Sequence, residues 1–223
     1  MRLLLIRHGQ TPANVRGELD TAHPGPGLTP LGRAQAAAIP AALGGEDVGA
    51  VFASTLVRTQ LTAAPLAESL GVQVRVLPGI HEIEAGDLEM ATDHASYRRY
   101  LGTAYAWGTG DRDVVMPGGT DGHAFFDRFD TSVAQVLSSG VSTAAVVSHG
   151  AAMRVWVAGV AANMRTEDAA DHELDNTALI VLEHDAGSGW QLISWSGAPL
   201  GGQVLADETA EDPTGESIDE AVG

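Results

Sequence analysis

The chain has 223 residues, no cysteine and a formal net charge of −17, from 29 acidic against 12 basic residues. The lack of cysteine excludes disulfides, thiolate nucleophiles and cysteine-ligated metal sites. The negative charge argues against nucleic acid and anionic membranes as partners. This length is enough for one large domain with a substantial core, or a domain with an insertion.

Apolar runs along the chain are short. None approaches the roughly 20 residues that a membrane-spanning helix needs, and Met1 to Ile6 is too short for the apolar core of a signal peptide. These features predict a cytoplasmic protein.

The first predicted element is a strand that leads directly into a basic pair. Leu3–Ile6 is an uninterrupted aliphatic run, which is typical of a strand buried on both faces of a parallel sheet. Arg7-His8-Gly9 follows it. Ligands of open α/β sheets bind beyond the carboxyl ends of the strands, so we expect Arg7 and His8 at the ligand crevice.

Helix and strand patterns alternate along the rest of the chain, which is typical of βαβ units. Thr29 before Pro30 predicts the start of a helix that runs toward Leu43. The pattern becomes irregular between Glu82 and Arg128, with helix-like residues only at 97–100, and it predicts an insertion over the site at about 83–128. Further predicted strands are 50–53, 72–77 and 144–147, and further predicted helices are 56–70, 121–137 and 151–160.

The C-terminal part divides into a hairpin and a tail. Strands at 178–182 and 190–195 are joined by turn-forming residues at 185–189, which predicts a hairpin. From Gln203 onward the chain carries seven acids with no base and no aromatic. Such a composition cannot bury a core. We therefore expect one domain over 1–202 and an acidic, disordered tail over 203–223.

Two further basic groups follow predicted strands. Ser148-His149-Gly150 repeats the strand–His–Gly arrangement, and Arg58 lies at a strand-to-helix junction. A cation in the first turn of a helix is unfavourably placed for the helix dipole. An anion held by Arg7, Arg58 and helix-terminal amides explains that position better.

Four motifs together resemble the histidine phosphatase superfamily, also called the phosphoglycerate mutase-like family, over about residues 1–200. They are Arg7-His8-Gly9 with Thr11 and Asn14, Ser54 to Thr59 with Thr62-Ala63, Glu82 before Gly86, and Ser148-His149-Gly150. The resemblance implies an α/β fold, a three-layer αβα sandwich with a mixed, mainly parallel sheet. It also implies that His8 is phosphorylated during turnover.

The resemblance also assigns roles. The implied catalytic residues are His8, Glu82, His149, Arg7 and Arg58. Glu82 would donate a proton to the leaving oxygen and then activate water, so burial or carboxylate neighbours should raise its pKa. Candidates for binding the substrate phosphate are Arg7, Asn14, Arg58, His149, Gly150, Thr11 and Gln10. Cations and a neutral donor around the phosphate leave no need for a cofactor or metal, and the sequence has no zinc-binding spacing.

Three functions follow from this site. The leading expectation is a metal-independent phosphomonoesterase of the histidine acid type that acts on a small phosphorylated metabolite. The alternatives are a cofactor-dependent phosphoglycerate mutase and a non-catalytic sensor of a phosphorylated ligand. Ala85, Leu88 and Met90 depart from residues common in the family, so the substrate stays open. Also open are the contribution of His81 and His123, and the oligomeric state, for which a homodimer is one option.

Overall fold

The computed structural model describes residues 1–164 and 172–215, and within them six strands form a single sheet. The strands are β1 (Arg2–Arg7), β2 (Val48–Ala53), β3 (Val74–Val76), β4 (Thr143–Ser148), β5 (Leu179–Asp185) and β6 (Gly189–Ser196). The helices are α1 (Pro12–Val15), α2 (Pro30–Ala42), α3 (Val57–Leu70), α4 (His94–Gly108), α5 (Gly122–Leu137) and α6 (Gly150–Val160).

The sheet is mixed and mainly parallel, as predicted. Its spatial order is β3-β2-β4-β1-β5-β6. Strands β3, β2, β4 and β1 pair in parallel, while β5 is antiparallel to both β1 and β6. The β5–β6 pair is the predicted hairpin.

Helices cover both faces of the sheet, which gives the predicted three layers. Side chains alternate between faces along a strand. Leu3 and Leu5 of β1 pack with the cluster that includes residues of α4, α5 and α6, whereas Leu4 and Ile6 pack with residues of α2 and α3. This two-sided burial explains the uninterrupted aliphatic run in β1.

The segment between Glu82 and the start of α5 is more regular than predicted. Helix α4 has 15 residues, starts after the N-cap Asp93 and buries Tyr97, Leu101 and Trp107. The pattern indicated only residues 97–100, because the aromatic residues of this helix alternate with polar and small ones instead of forming an aliphatic stripe.

The prediction of a disordered tail is wrong for residues 203–215. Residues Gln203–Leu205 form a 3₁₀ turn, the Leu205 carbonyl accepts a hydrogen bond from Gln35, and Gly215 accepts one from the Leu174 amide. Hydrogen bonds and ion pairs, not apolar burial, hold this segment against the domain, so composition could not reveal it. Residues 216–223 of the predicted tail lie outside the described residues.

Across the described ranges, no helix is both long and apolar enough to cross a membrane.

Candidate active site

Strand pairing brings the two predicted histidines together at one edge of the sheet. Arg7 and Ser148 are paired residues at the ends of β1 and β4. His8 and His149 follow them, and their ring centroids are 5.2 Å apart. Ser54 follows β2, which is the other neighbour of β4. The carboxyl ends of three adjacent parallel strands therefore build the site.

The His8 ring is oriented by its own neighbour. Nδ1 lies 2.9 Å from the Gly9 carbonyl oxygen, which can only accept, so Nδ1 carries the proton and Nε2 keeps the lone pair. Burial, followed by the charges of Arg58 and Arg7, holds the pKa of His8 well below its usual range. The imidazole is therefore neutral near pH 7 and its Nε2 can act as a nucleophile.

Two buried guanidinium groups border this histidine. Arg58 Nη2 donates to the Asp20 carbonyl at 3.0 Å, and Arg7 Nη1 donates to the Leu174 carbonyl at 2.8 Å. Within the described parts of the chain, Arg58 Nε and Nη1 and Arg7 Nε have no hydrogen-bond partner. Unsatisfied buried donors are costly, about 1–3 kcal/mol each and more for charged groups. Such an arrangement favours an anionic ligand.

Asn14 adds a neutral donor. Its Oδ1 accepts from the Thr11 backbone amide and hydroxyl, both at 2.9 Å, and this capping box closes the start of α1. The local bonding fixes the amide so that Nδ2 donates to Asp212 Oδ1 at 3.1 Å.

The carboxylate of Asp212, from the C-terminal segment, lies between Arg7 and Asn14. Arg7 Nη2 lies 2.7 Å from each carboxylate oxygen of Asp212 and 2.9 Å from the Thr214 hydroxyl. His8, Asn14, Arg58, Glu82 and Thr214 are among the residues that line the pocket, in which about 20 Å³ of free space is left. That is room for roughly one water molecule.

Glu82 is buried with its carboxylate at the N-terminus of α6. Oε1 accepts from the Ile83 and Ala152 amides at 2.9 and 2.8 Å, whereas Oε2 accepts from the Ala151 amide at the longer distance of 3.2 Å. Burial raises the pKa of Glu82, and the hydrogen bonds from Ile83 and Ala152 and the charges of Arg58 and Arg7 oppose this rise. The rise agrees with the sequence prediction, and burial is its cause.

His149 is held by a pair of hydroxyl groups. Its Nε2 lies 2.7 Å from Ser54 Oγ, which in turn lies 2.9 Å from Thr59 Oγ1. Its Nδ1 is buried and lacks a hydrogen-bond partner in residues 1–164 and 172–215. Burial and then Arg58 hold the pKa of His149 well below its usual value, so this ring is also neutral.

Four of the predicted phosphate-binding residues are not among those that line this pocket, namely Arg7, His149, Gly150 and Gln10, whereas Asn14, Arg58 and Thr11 are. Gln10 donates to Asp207 at 2.7 Å and accepts from the Thr29 hydroxyl at 2.8 Å, because the chain turns toward the start of α2 after Gly9. Gly150 begins α6, and a Cβ there would lie 2.3 Å from the Thr214 carbonyl oxygen. The lack of a side chain at Gly150 therefore lets the C-terminal segment pack against the start of α6.

The two histidines left open by the sequence are likewise absent from the pocket lining. His81 Nε2 contacts Glu84 at 2.7 Å, and its ring stands 5.4 Å from the His23 ring. His123 is 60% exposed and lies 3.1 Å from Asp113.

Sequence analysis gave no role to three residues in and around this site, although Ser54 is part of one of the four motifs. Ser54 follows a strand end, so the rule that identified His8 and His149 could have found it. Arg128, at the edge of the irregular segment, and Asp212, in the acidic tail, carried no local signal.

Comparisons with known proteins show the family of this chain. The family model of the histidine phosphatase superfamily (branch 1) matches residues 3–197. The chain is 38% identical over 212 residues to the PE-PGRS family protein PE_PGRS11 of Mycobacterium tuberculosis, with 88% of this chain aligned; the alignment spans only 36% of that relative. It is 30% identical over 159 residues to the adenosylcobalamin/alpha-ribazole phosphatase of Salmonella typhimurium, covering 71% of this chain and 78% of that protein.

A solved structure shows the same fold. Mycobacterial glucosyl-3-phosphoglycerate phosphatase superposes with a TM-score of 0.72 at 27% identity, covering 88% of this chain and 99% of the other. Fold, motif order and relatives agree with the predicted class of enzyme, and the chain belongs to the histidine phosphatase superfamily.

Proposed function

We propose that this protein is a metal-independent phosphatase that hydrolyses a small phosphate monoester through a phosphohistidine on His8. The observation that carries the proposal is a neutral His8, with its lone pair on Nε2, in one pocket with cations and an acid. Arg58, Asn14 and Glu82 line the same pocket as His8. Binding alone would not require a nucleophile and an acid in one pocket.

The first half-reaction uses the neutral imidazole. Nε2 of His8 attacks phosphorus, the P–N bond forms and the ester P–O bond breaks. Arg7, Arg58 and Asn14 stabilise the charge on the phosphoryl oxygens in a buried site, where such donors are most effective. The buried Nδ1 of His149 is a further donor when the Ser54 hydroxyl donates to Nε2.

Glu82 completes both halves of the reaction. Oε2 makes the weaker of its backbone contacts, so the proton of the neutral acid belongs on Oε2. That proton goes to the leaving oxygen. The resulting carboxylate then takes a proton from water, the water oxygen attacks phosphorus, and the P–N bond breaks to release inorganic phosphate.

The place of Asp212 supports an anionic ligand. A carboxylate lies between Arg7 and Asn14, where a phosphoryl group would make the same charge-assisted hydrogen bonds. Substrate binding to these donors requires Asp212 to leave them.

A ³¹P NMR time course tests the function. Wild type and His8→Ala are compared in chelator with a panel of esters that includes 3-phosphoglycerate and p-nitrophenyl phosphate. We expect inorganic phosphate with the wild type alone, and an acid-labile phosphoenzyme on rapid quenching. A new phosphoglycerate resonance without free phosphate would show a mutase, and no turnover of any ester would leave a phospho-ligand sensor.

A further inference from the structure

The proposed general acid lies on an irregular stretch of chain. Glu82 falls between two 3₁₀ turns, Pro78–Ile80 and Gly86–Leu88. A general acid must stay within hydrogen-bond reach of the leaving oxygen. Neither a helix nor a strand fixes the backbone here, so the position of Glu82 depends on contacts with other elements.

Arg128 makes such contacts on both sides of the acid. Its Nη1 donates to the carbonyls of Gly79 at 2.6 Å and His81 at 2.8 Å, and its Nη2 donates to the carbonyl of Glu82 at 2.8 Å. One guanidinium thus satisfies three backbone acceptors within four residues, including the carbonyl of the acid itself. A planar fork of donors is well suited to this task, and an ammonium group is not.

Arg128 is closely packed against the rest of the structure. The side chain is only 18% exposed, and its guanidinium lies 5.1 Å from the centre of the Phe125 ring. A Cβ on Gly79 would lie 2.0 Å from the Arg128 carbonyl oxygen, so the loop packs directly on the backbone of α5. Ser132, one turn later on the same helix, accepts from the Gly79 amide at 3.0 Å.

The carboxylate end of Glu82 is held separately, by the amides of α6. The two ends of the residue are therefore anchored to different helices, α5 through the main chain and α6 through the side chain. We propose that Arg128 is a positioning residue for proton donation, which acts through Glu82 without touching the substrate. This inference rests on the proposed function.

Two aryl esters of similar size separate this role from a general structural one. The p-nitrophenolate leaving group is stable without a proton, whereas phenolate, with a pKa near 10 like that of tyrosine, gains from protonation. For Arg128→Gln we expect kcat/KM to fall by at least about tenfold with phenyl phosphate, and less than about threefold with p-nitrophenyl phosphate.

Two further arginine variants serve as matched comparisons. Arg128→Lys keeps the charge but cannot span the three carbonyls, so it should show the same selective loss; it also carries the test if the glutamine variant does not fold. Arg112→Gln removes an arginine that lies 3.7 Å from the centre of the neighbouring Phe126 ring. Arg112→Gln should leave kcat/KM unchanged with both esters.

A double-variant cycle completes the test. In a Glu82→Gln background, Arg128→Gln should lower kcat/KM by less than about twofold with either ester, because the proton donor is already absent. Equal losses with both esters, or a full loss that persists in the Glu82→Gln background, would overturn the role of Arg128. If His8→Ala hydrolysed both esters as well as the wild type, the proposed function itself would fail, and the positioning role with it.

Discussion

Arg7 and Asp212 form an ion pair inside the candidate active site, although 205 positions separate them in the sequence. Nη2 of the arginine is 2.7 Å from the carboxylate, and Asn14 donates to the same group at 3.1 Å. The side chain of Asp212 is only 13% exposed. The acidic tail thus places a carboxylate where the proposed reaction needs a phosphoryl group.

Asp212→Asn should therefore strengthen the binding of inorganic phosphate. The substitution keeps the shape but replaces charge-assisted hydrogen bonds with neutral ones, so the competing contact weakens by roughly 1–2 kcal/mol. We expect the dissociation constant of phosphate, measured by calorimetry, to fall about tenfold. Glu211→Gln removes the same charge from an exposed neighbour and is the control. Weaker phosphate binding by Asp212→Asn would show that Asp212 helps to build the site.

The pH profile should report the protonation of Glu82. Because burial raises the pKa of Glu82, the acid form persists to higher pH than for an ordinary glutamate, and kcat/KM should decline as pH rises through that pKa. Glu82→Gln should lower kcat/KM for phenyl phosphate by about 10²–10⁴-fold and remove this decline. A decline that survives in Glu82→Gln would assign the titration to another group.

Ser54 should contribute to catalysis through its hydrogen bond to His149. Ser54→Ala removes the hydroxyl that lies 2.7 Å from Nε2, which is the hydrogen bond that selects the ring nitrogen of His149 that carries the proton. We expect kcat/KM to fall about tenfold, the value of one neutral hydrogen bond of ~1.4 kcal/mol. Ser69→Ala, which deletes a hydroxyl bonded to the Leu66 carbonyl in α3, should leave kcat/KM unchanged. Equal activities of the two variants would exclude this role for Ser54.

Stability should fall in mild acid because of the buried histidines. His8 and His149 have lowered pKa values when folded, so below a pH of about 6.5 the unfolded chain binds protons that the folded chain does not. Each of these two histidines then lowers the free energy of unfolding by up to about 1.4 kcal/mol for every pH unit of acidification.

Denaturant unfolding between pH 7 and pH 5 measures this effect. In His149→Asn the free energy of unfolding should fall less steeply with falling pH than in the wild type, because the contribution of one buried histidine is removed. His123→Asn, which changes an exposed residue, should follow the wild type. Parallel curves for His149→Asn and the wild type would mean that His149 is protonated in the folded state.

The sequence by itself determined the sheet and the reactive pair. An aliphatic run buried on both faces is a local signal, and His8 and His149 directly follow two such runs. Ligands of open α/β sheets bind beyond the carboxyl ends of the strands, so both rings were expected at the ligand crevice; the pairing of β1 with β4, which brings the rings together, is known only from the structure. The helix cap at Thr29 is similarly local, and it forms in the structure.

Tertiary structure decided everything that depends on distant partners. Local sequence could not reveal that Arg128 bonds the backbone around Glu82, because the two belong to separate elements and only folding brings them into contact. Composition alone indicated disorder for the segment that carries Asp212, because it has too little apolar surface to bury. That segment docks through its charges, and the cations that attract it exist as a group only in the folded site.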